Sequence, residues 1–257
     1  MDIKIPYTPR KHQSYLHQQI GRYRWSVLVC HRRFGKTVCM INHLIKSALM
    51  CKHKNPRFAY IAPTFKQAKS IAWDYMKQFT AKIPATKFNE TELRVDLPNG
   101  SRITLLGAEN SDGLRGIYLD GCVIDEYANI DGKLFSEIIR PALSDRKGYC
   151  VFIGTPAGMN NNFYDLYQHA NGAEDWFNYK AKASETKIVD PEELEKAREV
   201  MGEKKYLQEF ECDWIANIEG AIFGEEMNKL DDKKQLARVP YDPTLPVSTA
   251  WDLGVAD

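Results

Sequence analysis

Three consecutive residues, Gly35, Lys36 and Thr37, end a polar loop and have the types and order that bind nucleotide phosphates. In such a loop, backbone N–H groups and the N-terminus of the following helix face anionic oxygens. We expect Arg33 and Gly35 to contribute to this phosphate-binding segment, and Lys36 to reach the β- and γ-phosphates. The hydroxyl of Thr37 is a suitable ligand for Mg²⁺. Taken alone, the stretch is equally compatible with an ordinary strand–turn–helix connection.

The loop departs at one position from the pattern G-x-x-x-x-G-K-S/T. Cys30 stands where the first glycine would fall. A cysteine fits there only if the backbone does not need a positive φ, because side chains with a Cβ rarely adopt that conformation. We therefore predict ordinary strand-like torsion angles at Cys30.

Two adjacent acids, Asp125 and Glu126, follow the apolar run Cys122-Val123-Ile124. Successive strand side chains face opposite ways, but beyond the carboxyl end both can reach the crevice where nucleotides bind in α/β sheets. We expect Asp125 to hold Mg²⁺, directly or through water, and Glu126 to orient and deprotonate the attacking water. The alternative is an Asp-Glu pair that only caps a strand, and the upstream Gly-Lys-Thr favours the catalytic interpretation.

Weaker patterns surround Gln13 and Thr155. The amide of Gln13 could donate to and accept from an adenine edge at once, although a capped surface helix with an exposed glutamine explains the local sequence better. Thr155 ends the strand predicted to lie beside the acid-bearing one, where it could sense the γ-phosphate. In isolation, a Gly-Thr-Pro sequence is usually only a turn.

The elements that must position these residues alternate between apolar strands and helical patterns. Short apolar runs predict buried strands of a mostly parallel sheet, and a Pro-Asn-Gly turn predicts a hairpin. The predicted strands are Val27–Cys30, Arg57–Ile61, Cys122–Ile124, Tyr149–Ile153 and Val247–Leu253, with the hairpin at Leu93–Leu106. Helices are predicted after Thr37, over Phe65–Phe79, over Leu134–Leu143 and from Asp190 to about Trp214. These elements predict an α/β fold with helices on both faces of the sheet.

Composition excludes several classes of protein. The 257 residues carry 35 Lys and Arg against 34 Asp and Glu, so any basic surface must be local. Six cysteines form no C-x-x-C pair, which predicts reduced thiols in an intracellular protein. No apolar run approaches the length of a membrane span, and the first residues do not form a signal peptide.

Taken together and in this order, the motifs resemble the large terminase subunit of tailed bacteriophages, and the resemblance covers essentially the whole chain. The matching stretches are PRKHQ with Gln13, CHRRFGKT with Arg32, APTFKQAKSIAWD, GLRG with Arg115 before VIDE, IGTPAG with Thr155, and WDLGVAD with Asp252. The family's phosphate loop often lacks its first glycine and carries an arginine, which fits Cys30 and Arg32.

The resemblance implies an ASCE/RecA-like P-loop NTPase with a three-layer fold, which hydrolyses ATP with Mg²⁺ to translocate double-stranded DNA into a procapsid. It implies an ATPase core over 1–185, a lid or linker subdomain over 186–246, and the start of a nuclease domain over 247–257. Implied partners are the portal protein, the small terminase subunit and further copies in a ring on the procapsid, the isolated chain being monomeric. The implied location is the host cytoplasm, without a membrane.

Two arginines receive catalytic roles from the same resemblance. Arg32 lies in the phosphate loop and is expected to act on ATP of its own subunit. Arg115 stands between Gly113 and Gly116 and is expected to act on a neighbouring subunit's ATP. The alternative is that Arg115 caps a turn or pairs with a local acid such as Asp112.

The last residues lead to a negative expectation about nuclease activity. Asp252 matches the first metal-ligand position of the nuclease, but a lone carboxylate cannot build a two-metal site. We therefore expect a truncated nuclease domain and no metal-dependent cleavage of DNA. Two alternative functions remain open: a superfamily 2 helicase fragment, and a non-catalytic DNA-binding scaffold derived from a terminase.

Overall fold

The computed structural model describes residues 5–215 together with Leu230, Gln235 and Thr244. The chain divides into two compact units, Met1–Asn217 and Ile218–Asp257, and the fold and candidate site both lie in the first. The predicted strand Val247–Leu253 and its Asp252 lie outside the described residues.

One eight-stranded sheet forms the centre of the first unit. Its strands are β1 (Trp25–Cys30), β2 (Arg57–Ala62), β3 (Lys87–Asn89), β4 (Arg94–Asp96), β5 (Arg102–Gly107), β6 (Gly121–Ile124), β7 (Tyr149–Gly154) and β8 (Trp176–Ala181). They lie in the order β3-β4-β5-β2-β6-β7-β1-β8. Only the β3–β4 and β4–β5 pairs are antiparallel, which confirms the mostly parallel sheet.

Helices connect the strands. The α-helices are α1 (Lys11–Ile20), α2 (Lys36–Met50), α3 (Phe65–Ala68), α4 (Asp74–Thr80), α5 (Arg140–Ala142), α6 (Asn162–Gly172), α7 (Ala183–Thr186), α8 (Pro191–Met201) and α9 (Glu203–Phe210). Segments Lys69–Trp73 and Leu134–Ile139 are π-helical, and Ala108–Leu114 and Tyr127–Asn129 are 3₁₀-helical. No helix among the described residues combines the length and apolar character needed to cross a bilayer.

Two hydrophobic cores lie on opposite faces of the sheet. Because strand side chains alternate, Leu28 packs into the core that holds α1, α2 and α4, whereas Val27 and Val29 pack into the other. The second core is closed by the Leu134–Ile139 segment and by Phe163 of α6. The structure therefore confirms the predicted three layers.

Several predicted elements differ in their boundaries. The helix predicted from Asp190 to Trp214 is wrong, because Gly202 adopts φ 78° and ψ 159° and separates α8 from α9. The predicted hairpin is present as β4 and β5, whose turn is closed by the Leu97 N–H donating to the Ser101 carbonyl at 2.8 Å. The edge strand β8 and the helix α6 were not predicted.

The predicted reduced thiols agree with the structure. All six cysteines lie within residues 5–215, and none forms a disulfide. Cys122 and Cys150 are neighbours across β6 and β7, with their sulfur atoms 3.4 Å apart.

A stacked pair of histidines joins α1 to α2. The Nδ1 atoms of His17 and His43 are 3.1 Å apart, and the rings are within 9° of parallel. Burial, together with the charge of Lys46, lowers the pKa of His17 to about 4. Burial, together with His17 and Lys46, lowers the pKa of His43 to about 3. The folded protein therefore holds both rings neutral at pH values where an unfolded chain would protonate them.

We expect the free energy of unfolding to fall as the pH drops below about 6.5, the ordinary pKa of histidine, toward 4. A one-unit difference in pKa between folded and unfolded states is worth about 1.4 kcal/mol, so the loss is on the order of a few kcal/mol. His43→Gln should reduce this acid sensitivity in urea unfolding at pH 7 and pH 5, whereas the exposed His169→Gln should not. Equal acid sensitivity in wild type and His43→Gln would contradict the assignment.

Candidate active site

The phosphate loop occupies the five residues between β1 and α2. Positive φ angles occur at Arg33, with 70°, and at Gly35, with 88°. Cys30 has no such angle and remains in register with Ala181 of β8, which confirms the prediction for this position. The loop therefore turns at 33 and 35 and needs no glycine at 30.

His31 fixes the start of the loop, a role that sequence reasoning missed. The side chain is fully buried, and its Nδ1 donates to the Arg32 carbonyl at 2.6 Å. Its Nε2 accepts from the Thr186 hydroxyl at 2.8 Å, while its backbone N–H donates to the Ala181 carbonyl at 3.0 Å. Burial lowers the pKa of His31, so its ring is neutral. The hydrogen bonds of this residue fix the start of the loop relative to β8.

Lys36 lies between the loop and the paired acids. Its Nζ donates to the carbonyl of Cys30 at 3.2 Å. Its positive charge also lowers the pKa values of Asp125 and Glu126, against the stronger effect of burial. The ammonium group therefore acts on both carboxylates as well as on the loop.

Asp125 is buried where β6 ends, and protein donors hold both of its carboxylate oxygens. Oδ2 accepts from the hydroxyl of Tyr60 in β2, and Oδ1 accepts from the Glu126 N–H at 2.9 Å. The Thr37 side chain lies close enough to this carboxylate to lower its pKa, so the structure brings Thr37 and Asp125 together. Burial raises the pKa of Asp125, and the Tyr60 hydrogen bond partly opposes the rise.

The side-chain oxygen atoms of Thr37 and Asp125 suit a hard divalent cation. A threonine hydroxyl and a buried carboxylate are oxygen ligands of the kind that Mg²⁺ prefers, and nucleotide phosphates commonly supply others. A buried carboxylate also favours a nearby positive charge, because its ionised form is poorly solvated. Thr37 and Asp125 therefore fit the predicted magnesium site.

Glu126 follows directly, with a left-handed backbone of φ 50°. Burial raises its pKa, and the negative charge of Asp125 raises it further. Lys36 and Arg32 lower it, so both cations act on this carboxylate. A glutamate with raised proton affinity is suited to accept a proton from water.

Arg32 extends from the loop to helix α9. Its backbone N–H donates to the Glu209 carbonyl at 2.8 Å, and its guanidinium lies 3.7 Å from the Glu209 carboxylate. The Arg32 side chain is 63% exposed, and Glu209 also contacts Lys205 at 3.2 Å. Glu209 was not predicted as a site residue, because only the folded position of α9 brings it to the loop.

Helix α9 also reaches the segment that carries Thr155. Thr155 is half-buried and follows directly after β7. The next residue, Pro156, accepts a hydrogen bond through its carbonyl from Nε2 of the buried Gln208 at 2.5 Å. Adjacent α9 residues, Gln208 and Glu209, thus contact the Thr155 segment and the phosphate loop.

Gln13 is buried, so the alternative of an exposed glutamine on a surface helix is wrong. Its Nε2 donates to the Gly35 carbonyl at 3.2 Å, and its Oε1 accepts from the Arg10 N–H at 2.9 Å. The amide therefore supports the phosphate loop from α1. Its contact with adenine stays a prediction.

Arg115 lies directly after the 3₁₀ segment Ala108–Leu114. Its guanidinium is 3.7 Å from the carboxylate of Glu137, and its side chain is 56% exposed. Arg115 thus forms an ion pair with Glu137 in this structure. The action of Arg115 on a neighbouring subunit's ATP stays a prediction.

Three features define a P-loop NTPase fold: the three-layer arrangement, the loop that leads from β1 to Lys36 and Thr37, and the acids that follow β6, which is separated from β1 by β7. A family model described as "Terminase large subunit, T4likevirus-type, N-terminal" matches residues 29–229. Because the match covers most of the chain, the chain belongs to this family of large terminase subunits.

Curated relatives and solved structures agree with this assignment. The large terminase subunit of Thermus virus P23-45 is 32% identical over 126 residues, which cover 42% of this chain and 26% of that protein. That of Thermus phage G20c is 31% identical over the same length. The matched region thus spans about a quarter of these relatives.

Among solved structures, the large terminase ATPase domain of Thermus phage P74-26 has a TM-score of 0.69 at 22% identity, covering 82% of this chain and 95% of that one. A large terminase from another thermophilic bacteriophage has a TM-score of 0.69 at 15% identity, covering 80% and 54%. Other structures of this second protein contain ADP or ATP-gamma-S. At these identities the likeness concerns the fold.

Proposed function

We propose that this chain hydrolyses ATP with Mg²⁺ and couples hydrolysis to movement of double-stranded DNA into a viral procapsid. The observation that carries the proposal is the buried carboxylate of Asp125, held by hydrogen bonds from Tyr60 and the Glu126 N–H, with the charge of Lys36 acting on Asp125 and Glu126. Membership of the large terminase family supports the motor role. The nucleotides bound to the large terminase of a thermophilic bacteriophage support ATP as the substrate.

Each side chain has a part in this proposal. Lys36 and the backbone of the loop bind the phosphates, while Thr37 and Asp125 hold Mg²⁺. When bound, the metal neutralises negative charge on the phosphate oxygens. Glu126 orients the attacking water and takes its proton on the carboxylate. Arg32 stabilises transition-state charge within the same subunit.

The remaining site residues are proposed as accessory groups. Gln13 reads the adenine edge or, through its contact with Gly35, sets the loop for doing so. Thr155 senses the γ-phosphate at the end of β7 and passes its state to the rest of the domain. Residues 1–185 form the ATPase core and 186–246 the lid in this proposal.

Partners follow from the family rather than from a surface of this chain. We propose a ring of copies on the procapsid, with the portal protein and small terminase subunit, acting in the host cytoplasm. Arg115 belongs to the interface between subunits in this arrangement. A ring gives each site a neighbour that can supply a missing charge.

The decisive experiment follows ATP turnover and DNA movement with one preparation assembled on portal-bearing procapsids. The expected result is Mg²⁺-dependent ATP hydrolysis with ATP-dependent displacement of a third strand from a triplex, without separation of a duplex. Unwinding of a forked duplex would instead identify the superfamily 2 helicase alternative. Assembly without any ATP turnover would identify the scaffold alternative.

A further inference from the structure

Tyr60 connects the two residues expected to hold magnesium. It lies in the middle of β2, fully buried, and its hydroxyl donates to Oδ2 of Asp125. The Thr37 side chain lies close enough to this hydroxyl and to the Asp125 carboxylate to lower the pKa values of both groups. Side chains from β2, from α2 and from the end of β6 therefore meet at this point.

The hydroxyl is not needed for packing. β2 is otherwise a buried apolar strand beyond its first residue, and a phenylalanine ring would fill the same volume as the ring of Tyr60. A buried phenol must find a hydrogen-bond partner, and the partner of Tyr60 is a carboxylate rather than a backbone carbonyl. The Tyr60 hydroxyl, a polar group on an otherwise apolar stretch of β2, is thereby directed to the proposed magnesium site.

The hydrogen bonds fix the orientation of the Asp125 carboxylate. Tyr60 holds Oδ2, and the backbone N–H of Glu126 holds Oδ1 at 2.9 Å. With a donor on each oxygen, the carboxylate plane cannot rotate without breaking a charge-assisted hydrogen bond. The remaining lone pairs of the two oxygens keep a set direction relative to Thr37.

We propose that Tyr60 is a positioning residue for the metal, holding the Asp125 carboxylate in the orientation that binds magnesium together with Thr37 and the nucleotide. This inference rests on the proposed nucleotide site, which it deepens. Groups that orient metal ligands typically contribute 10- to 100-fold, roughly, to metal affinity or activity. Tyr60 acts through Asp125 and is not itself a ligand.

The test is Tyr60→Phe, which removes the hydroxyl and keeps the ring. Mn²⁺ binding in the presence of ADP, followed by electron paramagnetic resonance, reports metal affinity without turnover. We expect the variant to bind Mn²⁺ in the ADP complex roughly 10- to 100-fold more weakly than wild type. ADP affinity in EDTA should be unchanged, because the phosphate contacts of Lys36 and the loop remain.

Tyr149→Phe is the matched control. Tyr149 lies at the start of β7, and its hydroxyl donates to the Ser47 hydroxyl at 3.1 Å, away from the paired acids. The control also removes a tyrosine hydroxyl hydrogen bond, in this case one between β7 and α2, but it should leave Mn²⁺ affinity unchanged. Thermal unfolding of both variants without nucleotide checks that each is folded.

The outcomes separate this inference from the proposed function. Normal Mn²⁺ affinity in folded Tyr60→Phe, or an equal loss in both variants, would overturn the positioning role. Wild type that binds Mn²⁺ with ADP but does not hydrolyse ATP would overturn the proposed activity while leaving the Tyr60 comparison valid. Wild type without metal-dependent ADP binding would overturn both.

Discussion

Glu126→Ala is expected to abolish ATP turnover while ATP still binds. Removal of a general base costs roughly 10²- to 10⁴-fold in rate, whereas the phosphate contacts are expected from Lys36 and the loop backbone. Lys36→Ala should lose both binding and turnover, because its charge acts on both acids and is expected to bind the phosphates. Steady-state hydrolysis and equilibrium binding of a fluorescent ATP analogue measure the two quantities separately.

Two exposed residues provide controls for this pair. Glu174→Ala removes an acid that precedes β8, and Lys46→Ala removes a lysine from the later part of α2. Both controls should keep binding and turnover near wild type. Near-normal single-site turnover by Glu126→Ala would show that the base is another group.

The state of Glu126 also predicts a pH dependence. Burial and the charge of Asp125 raise its pKa, so protonation removes the base at a higher pH than for an ordinary glutamate. ATP turnover should therefore fall as the pH drops through this raised value and recover when the pH is restored. A rate profile without an acid limb in that range would contradict the role.

Arg115→Ala is expected to lose roughly 10³- to 10⁵-fold in turnover in the assembled ring, if its charge acts on a neighbour's ATP. Its side chain is 56% exposed, and its ion pair with Glu137 spans 3.7 Å. Exposed pairs of this kind contribute only about 0–1 kcal/mol, so the arginine can leave Glu137 at small cost. By contrast, Arg32 acts electrostatically on Glu126 of its own chain, which supports its action in cis.

Subunit mixing tests the trans role. Rings that combine Arg115→Ala with Glu126→Ala, each inactive alone, should recover activity where an intact Glu126 faces an intact Arg115. Glu137→Ala is the informative control: it should stay active if Arg115 works in trans, but should resemble Arg115→Ala if the ion pair is structural. Mixed rings that form but remain at background would refute the trans assignment.

Sequence predicted the central part of the fold because its strands are short apolar runs bounded by clear turns. Edge strand β8 was missed because only Phe177 and Ala181 of its six residues are buried, which weakens the apolar pattern. The alternation of Phe177, Tyr179 and Ala181 could have revealed it. The break between α8 and α9 could likewise have been predicted from Gly202, since glycine commonly ends helices.

The candidate catalytic residues were easier to predict from the sequence than the residues that support them. Lys36, Thr37, Asp125 and Glu126 carry local sequence patterns, and the structure places them together. Glu209 and Gln208 reach the site only through the packing of α9, which leaves no local pattern. Tyr60 could have been noticed in the sequence, because its hydroxyl is a polar group within a buried apolar strand. Its partner Asp125 could be identified only from the pairing of β2 with β6.

The torsion angles of the phosphate loop determine which of its positions can change residue type. Cys30 is paired within the strand and does not have a positive φ. The position therefore requires only a side chain that is small enough to be buried there. At position 35 the φ is 88°, and a Cβ would lie 2.9 Å from Nε2 of Gln13. We therefore expect the loop to tolerate alanine, serine or glycine in place of Cys30, but not a residue with a Cβ in place of Gly35. The first glycine of the phosphate-loop motif can therefore be lost without a change in the backbone of the loop, whereas the second cannot.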